Sequence, residues 1–108
     1  MTAISLLQQA NNAFDNNDNA LGLKMLREYI SDNATDIEEL YRLAVIEEQI
    51  GTKDNALKAY FRCIKHDRNF VRAYLYAGYL LQQTGQLEKA LAFYSLGYDQ
   101  DAILPILN

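Results

Sequence analysis

Tryptophan is absent from this chain, and histidine, cysteine and proline occur once each. Each scarcity excludes something. A lone thiol, Cys63, forms no internal disulfide, which favours a reducing compartment. One histidine, His66, and one cysteine make no zinc-type ligand cluster. The single proline, Pro105, leaves residues 1–104 without a helix breaker. No apolar run approaches the roughly 20 residues needed to span a bilayer. The N-terminus lacks the basic start and apolar run of a signal peptide. The expectation is a cytoplasmic protein with no membrane partner. Basic charge is also short, with 10 Lys and Arg against 14 Asp and Glu. That balance argues against nucleic acid, because phosphate binding needs a basic surface.

What is present is apolar and periodic. The 108 residues suit one domain, and half are hydrophobic, enough for a packed core. Apolar residues recur three and four apart, the helical period. Six helices are expected, over about 3–15, 19–31, 36–50, 53–66, 70–83 and 86–98. Five columns of residues repeat with one spacing of 34 and no gap. They are Ala10, Ala44 and Gly78; Asn17, Gly51 and Gly85; Gly22, Ala56 and Ala90; Leu26, Tyr60 and Tyr94; Tyr29, Cys63 and Gly97. A period of that length built from paired helices reads as a stacked helical repeat. The fold class is therefore all-α, an α-solenoid of three antiparallel helix pairs.

Each column has a physical reading. Asn17, Gly51 and Gly85 fall where a helix should end on a left-handed residue. The Ala10 and Gly22 columns hold small side chains that let paired helices approach closely. The Leu26 column fills the space one turn on, as do Leu6, Leu40 and Tyr74 near the first-helix starts. Ser31-Asp32-Asn33 reads as a stop, and Thr35 with Glu38 as a capping box for the third helix. The repeats run over about 3–36, 37–70 and 71–104. Acidity is concentrated in the first, where Lys24 and Arg27 face Asp15, Asp18, Glu28, Asp32 and Asp36.

The constellation resembles the tetratricopeptide repeat family over nearly the whole chain. The third repeat fits best, through Tyr74, Ala77, Gly78, Leu81, Gly85, Ala90 and Tyr94. The second follows with Leu40, Leu43, Ala44, Gly51, Ala56, Tyr60 and Cys63. The first is degenerate, with Gln9 where the family favours leucine and Asn17 for glycine. The family's proline near each repeat end is absent, and Glu47 stands for an expected aromatic. Tyr29 and Gly97 replace an expected alanine.

The resemblance implies a non-catalytic scaffold that binds a peptide segment of a protein partner in a concave groove. The first helices would line that groove. Carried over residue by residue, the groove positions include Leu7, Asn11, Tyr41, Arg42, Val45, Arg72, Leu75, Tyr76 and Tyr79, with Ile4, Gln8, Phe14, Glu38, Glu48 and Gln82 beside them. Tyrosine and arginine are common hot-spot residues, and Arg42 and Arg72 are candidates for gripping a partner carboxylate. The plainer reading of the tyrosines is packing on neighbouring helices. Some family members clamp a chaperone's C-terminal carboxylate. Those clamp positions map to Leu7, Asn11, Arg42, Arg72 and Tyr76, where only Asn11 matches and Arg72 keeps the charge. No binding of that kind is expected.

No catalytic or cofactor-binding residues stand out. His66 reads as a cation complementing a helix C-terminus, Cys63 as a buried inert thiol. Glu38-Glu39 and Glu47-Glu48 read as solvated surface, since adjacent residues on a helix do not face each other. The stretch Ala102-Ile103-Leu104-Pro105-Ile106-Leu107-Asn108 is apolar, and residues 105–108 read as the start of a truncated capping or following helix. That end suggests a longer protein cut there, or self-association through it. Two alternatives to the adaptor therefore stand. One is the N-terminal recruitment domain of a larger enzyme, as in bacterial proteins resembling aspartyl/asparaginyl hydroxylases. The other is a homo-oligomerisation module.

Overall fold

A computed structural model describes residues 3–98, with side chains from Ser5 onward. The described residues form six helices: α1 (Ala3–Asp15), α2 (Asn19–Asp32), α3 (Ile37–Ile50), α4 (Lys53–His66), α5 (Val71–Gln83) and α6 (Leu87–Tyr98). Each expected helix is present, with ends within one residue of the sequence reading. Successive helices pair as hairpins, α1 with α2, α3 with α4 and α5 with α6. The second helix of one hairpin then packs on the first of the next, α2 on α3 and α4 on α5. Stacking in one direction gives an elongated body of 44 × 27 × 22 Å. The expected C-terminal helix at 105–108, and the apolar stretch it belongs to, lie outside the described residues.

The small-residue columns work as expected. Ala10, Ala44, Ala56 and Ala90 are buried at the hairpin contacts. A Cβ on Gly78 would come 3.0 Å from the Tyr94 ring, and one on Gly22 would press 2.5 Å into the Phe14 ring. The Gly22 contact is closer than real Cβ atoms come and would overpack, whereas at Gly78 the Tyr94 ring would have to give by a few tenths of an ångström. Large side chains fill the remaining space, with Leu26, Leu40 and Tyr60 fully buried.

The turns hold two corrections. Asn17 (φ 62°) and Gly85 (φ 81°) are left-handed, as their column requires. Gly51 is not: its φ is −102°. Glycine is needed there for room, because a Cβ would land on the Glu47 side chain. The capping box at Thr35 and Glu38 is also displaced by one residue. Asp36 is the N-cap of α3 and accepts from the Glu39 N–H at 3.4 Å. Its second oxygen accepts from the Tyr29 hydroxyl at 2.6 Å, which anchors Asp36 rather than Thr35 at the helix start. Tyr29 thus has a structural role where alanine was expected.

Cys63 is fully buried, and its thiol lies 3.9 Å from the Ile37 carbonyl oxygen. Burial pushes the thiol from 9.0 up to about 12. The Tyr29 phenol is raised from 10.0 to about 12, first by its bond to Asp36 and then by burial. Both groups are held protonated in the folded chain at a pH where the unfolded chain releases the proton. Their contribution is complete below about pH 9 and is lost as pH rises toward about 12. Urea midpoints should therefore fall between about pH 8 and about pH 10.5, and fall less in Cys63→Ala. Equal slopes for both proteins would remove the thiol from this account.

The stack ends unevenly. Leu23, Leu57 and Leu91 occupy one column, and their exposures are 6%, 8% and 67%. The first two are covered by the following hairpin. On α6, Leu87, Leu91, Leu96 and Tyr98 are exposed.

Candidate functional site

The first helices α1, α3 and α5 share one face. Arg42 on α3 reaches the Phe14 ring of α1, 5.1 Å from its centroid. Tyr41 on α3 meets Tyr76 of α5 at 6.1 Å. These two contacts bring aromatic residues of α1, α3 and α5 to one side of the stack.

At its centre lies a hollow of about 380 Å³, lined by Tyr41, Val45, Glu48, Gln49, Tyr60 and Tyr76. Tyr60 comes from α4, behind the first helices, and its ring is wholly buried. It lies parallel to Tyr76 at 5.9 Å and tilted to Tyr41 at 6.1 Å. Its hydroxyl donates to Glu48 Oε2 at 3.0 Å. Burial, then this bond to Glu48, raises the Tyr60 phenol well above its ordinary range. The Tyr41 phenol is raised too, by burial and by the neighbouring Tyr76. Both hydroxyls are therefore protonated donors.

The cationic residues sit beside the hollow, already engaged. Arg72 lies over Tyr41 and Phe70, with centroid distances of 4.5 and 4.9 Å. It also approaches Glu38 at 3.9 Å. Arg42 pairs with Glu39 at 3.3 Å. Both contacts with glutamate are single and partly or largely exposed, 56% and 75% for the Arg72–Glu38 side chains, so they hold the arginines only weakly.

Of the nine groove candidates, Tyr41, Val45 and Tyr76 come together around the hollow, with Arg72 at its edge. Tyr79 is 47% exposed and Tyr76 43%. Leu7 packs partly buried against the core, and Asn11 is partly buried on α1. Leu75 points toward α6, where a Cβ on Gly97 would meet its methyl at 2.9 Å.

Glu47 is not solvated surface. It is 3% exposed and holds a bidentate pair with Arg27, Nε to Oε2 at 3.0 Å and Nη2 to Oε1 at 2.6 Å. Nor is Glu48 merely solvated, given its bond to Tyr60. Adjacent glutamates point to opposite sides of α3, one inward to α2 and one to the hollow. Sequence reasoning assigned Tyr60 to packing alone and so missed its hydroxyl. A signal was present. Tyr94, its counterpart 34 residues on, donates to Gln82 at 2.9 Å, and Gln82 is the counterpart of Glu48. The first repeat has the apolar pair Leu26 and Phe14 at those positions. The two columns change together.

Comparison with solved structures agrees with this architecture. A crystal structure of MamA superposes with a TM-score of 0.80 at 20% identity, over 91% of this chain and 57% of that one. The second TPR of Spaghetti (RPAP3), bound to the HSP90 peptide SRMEEVD, gives 0.72 at 18% identity, over 88% of both chains. The fold is that of a tetratricopeptide-repeat solenoid. A MamA AMB-1 structure gives 0.82 at 16% identity, over 94% of this chain and 55% of that one. This array thus spans a little over half the length of the MamA chains. Identities this low establish the tetratricopeptide fold and nothing more. No family model and no curated protein matches the sequence. Among the described residues, no helix is long and apolar enough to cross a membrane.

Proposed function

We propose that the chain is a non-catalytic scaffold that binds a peptide segment of a partner protein along the α1, α3 and α5 face. One observation carries this reading: half-exposed Tyr76 lines an open aromatic hollow, and Tyr79, three residues on along α5, is half-exposed as well. Large rigid rings left in solvent beside a concavity are the residue type that most often anchors a partner. The RPAP3 repeat, of the same fold, holds a peptide, which supports a peptide as the ligand class. The ligand differs in our reading, because of the clamp positions Leu7, Asn11, Arg42, Arg72 and Tyr76 only Asn11 matches and Arg72 keeps the charge. A carboxylate-terminated chaperone tail is not expected to bind.

The test is a 12-residue random peptide library selected on the full chain, followed by calorimetry with Tyr79→Ala. Tyr79 has no ring partner among the described residues and is 47% exposed, so its loss should disturb the packing little, and circular dichroism of the variant checks that. A loss of about 1–2 kcal/mol, five- to thirtyfold in Kd, is expected. Unchanged affinity in Tyr79→Ala for every selected peptide would move the site off this face.

A further inference from the structure

Resting on that reading, the geometry points to the hollow at Glu48 as a pocket for a basic side chain, lysine or arginine, of the partner polypeptide.

Helix α3 carries four glutamates, and three have cationic partners: Glu38 with Arg72, Glu39 with Arg42 and Glu47 with Arg27. Glu48 has none among the described residues. Its partner is the neutral Tyr60 hydroxyl. The third repeat makes the same bond, Tyr94 to Gln82, with a neutral amide. The carboxylate charge is therefore surplus to what this contact needs. A half-buried charge held by one neutral donor is poised to gain from an incoming cation, and it is screened less than an exposed one.

The walls suit the same ligand. The negative faces of tyrosine rings attract ammonium and guanidinium groups. This face already uses that attraction internally, with Arg72 over Tyr41 and Arg42 over Phe14. Tyr76 and Val45 offer apolar surface for a lysine or arginine stem, and Gln49 a polar rim. A volume of about 380 Å³ admits one long side chain rather than a folded element. None of the six lining residues is a cation; Arg72 stands at the rim, over Tyr41 and paired with Glu38 rather than Glu48. The chain's net charge of −4 draws a basic partner toward it.

Glu48→Gln is the informative variant. It removes the charge and keeps an acceptor for Tyr60, as Gln82 does for Tyr94. Two probes are read against it. In the first, the labelled chain is titrated with n-butylammonium, the lysine head and stem, and with n-butyrate, followed by NMR at the Val45 methyls and the Tyr76 ring. Butylammonium should shift these signals, butyrate should not, and Glu48→Gln should weaken the response about tenfold. In the second, the random library is selected on both proteins. Native bait should enrich lysine or arginine at one peptide position, and Glu48→Gln should lose that enrichment while keeping Tyr79-dependent binding. Peptides that bind without basic preference, or a preference that survives Glu48→Gln, would overturn the pocket and leave the groove standing. An empty library with an intact butylammonium response would remove the peptide groove and support the cation pocket alone. No response in either arm would overturn both.

Discussion

Tyr60→Ala should destabilise the chain by about 3–5 kcal/mol, the usual cost of emptying a fully buried aromatic site. Tyr60 is the largest wholly buried side chain of the described residues. Its ring joins the second hairpin to the third by contact with Tyr41 and Tyr76. Truncation would open a cavity between three helices that cannot all collapse into it. A domain of this size has only about 5–15 kcal/mol in hand, so a third or more of its stability would go. Tyr60→Phe separates the ring from the hydroxyl. It should cost only about 1 kcal/mol, the net worth of one hydrogen bond, with a small addition for leaving Glu48 without its donor. Urea unfolding followed by far-UV circular dichroism reads both. Equal losses for the two variants would mean that the hydroxyl, not the packing, holds the hairpins together.

Arg27→Met should cost about 2–4 kcal/mol, because it leaves the Glu47 carboxylate buried without its partner. The lower part of the range for such pairs applies, since the Arg27 side chain is 47% exposed and water can reach its end of the bridge. The pair links α2 to α3, one of the contacts that join the first hairpin to the second. Arg27→Met with Glu47→Met should recover most of the loss, because well-packed apolar residues often replace a buried pair at little cost. The coupling in that double-mutant cycle separates an ion pair from mere side-chain volume. A double variant as unstable as the sum of the singles would show that the charges were not coupled.

The helices were legible because their signals are local. Apolar spacing, caps and the five columns set every element to within one residue. What the columns could not show was which contact each small or polar residue serves. Gly51 shares a column with two left-handed residues yet is required for clearance from Glu47. Asp36 won the N-cap from Thr35 through a bond to Tyr29 in the preceding helix. Glu47 reads as surface in any helical window, because Arg27 lies 20 residues away in sequence. The candidate site was half legible. Tyr41, Val45 and Tyr76 are groove positions that the tetratricopeptide resemblance implies, and they line one hollow. Tyr60 enters from a different helix, so no stripe contains it, and Leu75 belongs to the α6 contact. The engagement of Arg42 and Arg72 depends on partners on neighbouring turns and helices.

The most direct test of the central claim is an NMR footprint of a library-selected peptide on the labelled chain. The account predicts the largest shifts at Tyr41, Val45, Tyr76 and Tyr79, with α2 and the outward side of α4 unmoved. Shifts confined to α2, α4 and the exposed leucines of α6 would contradict it, and would place recognition on the opposite face or at the end of the stack.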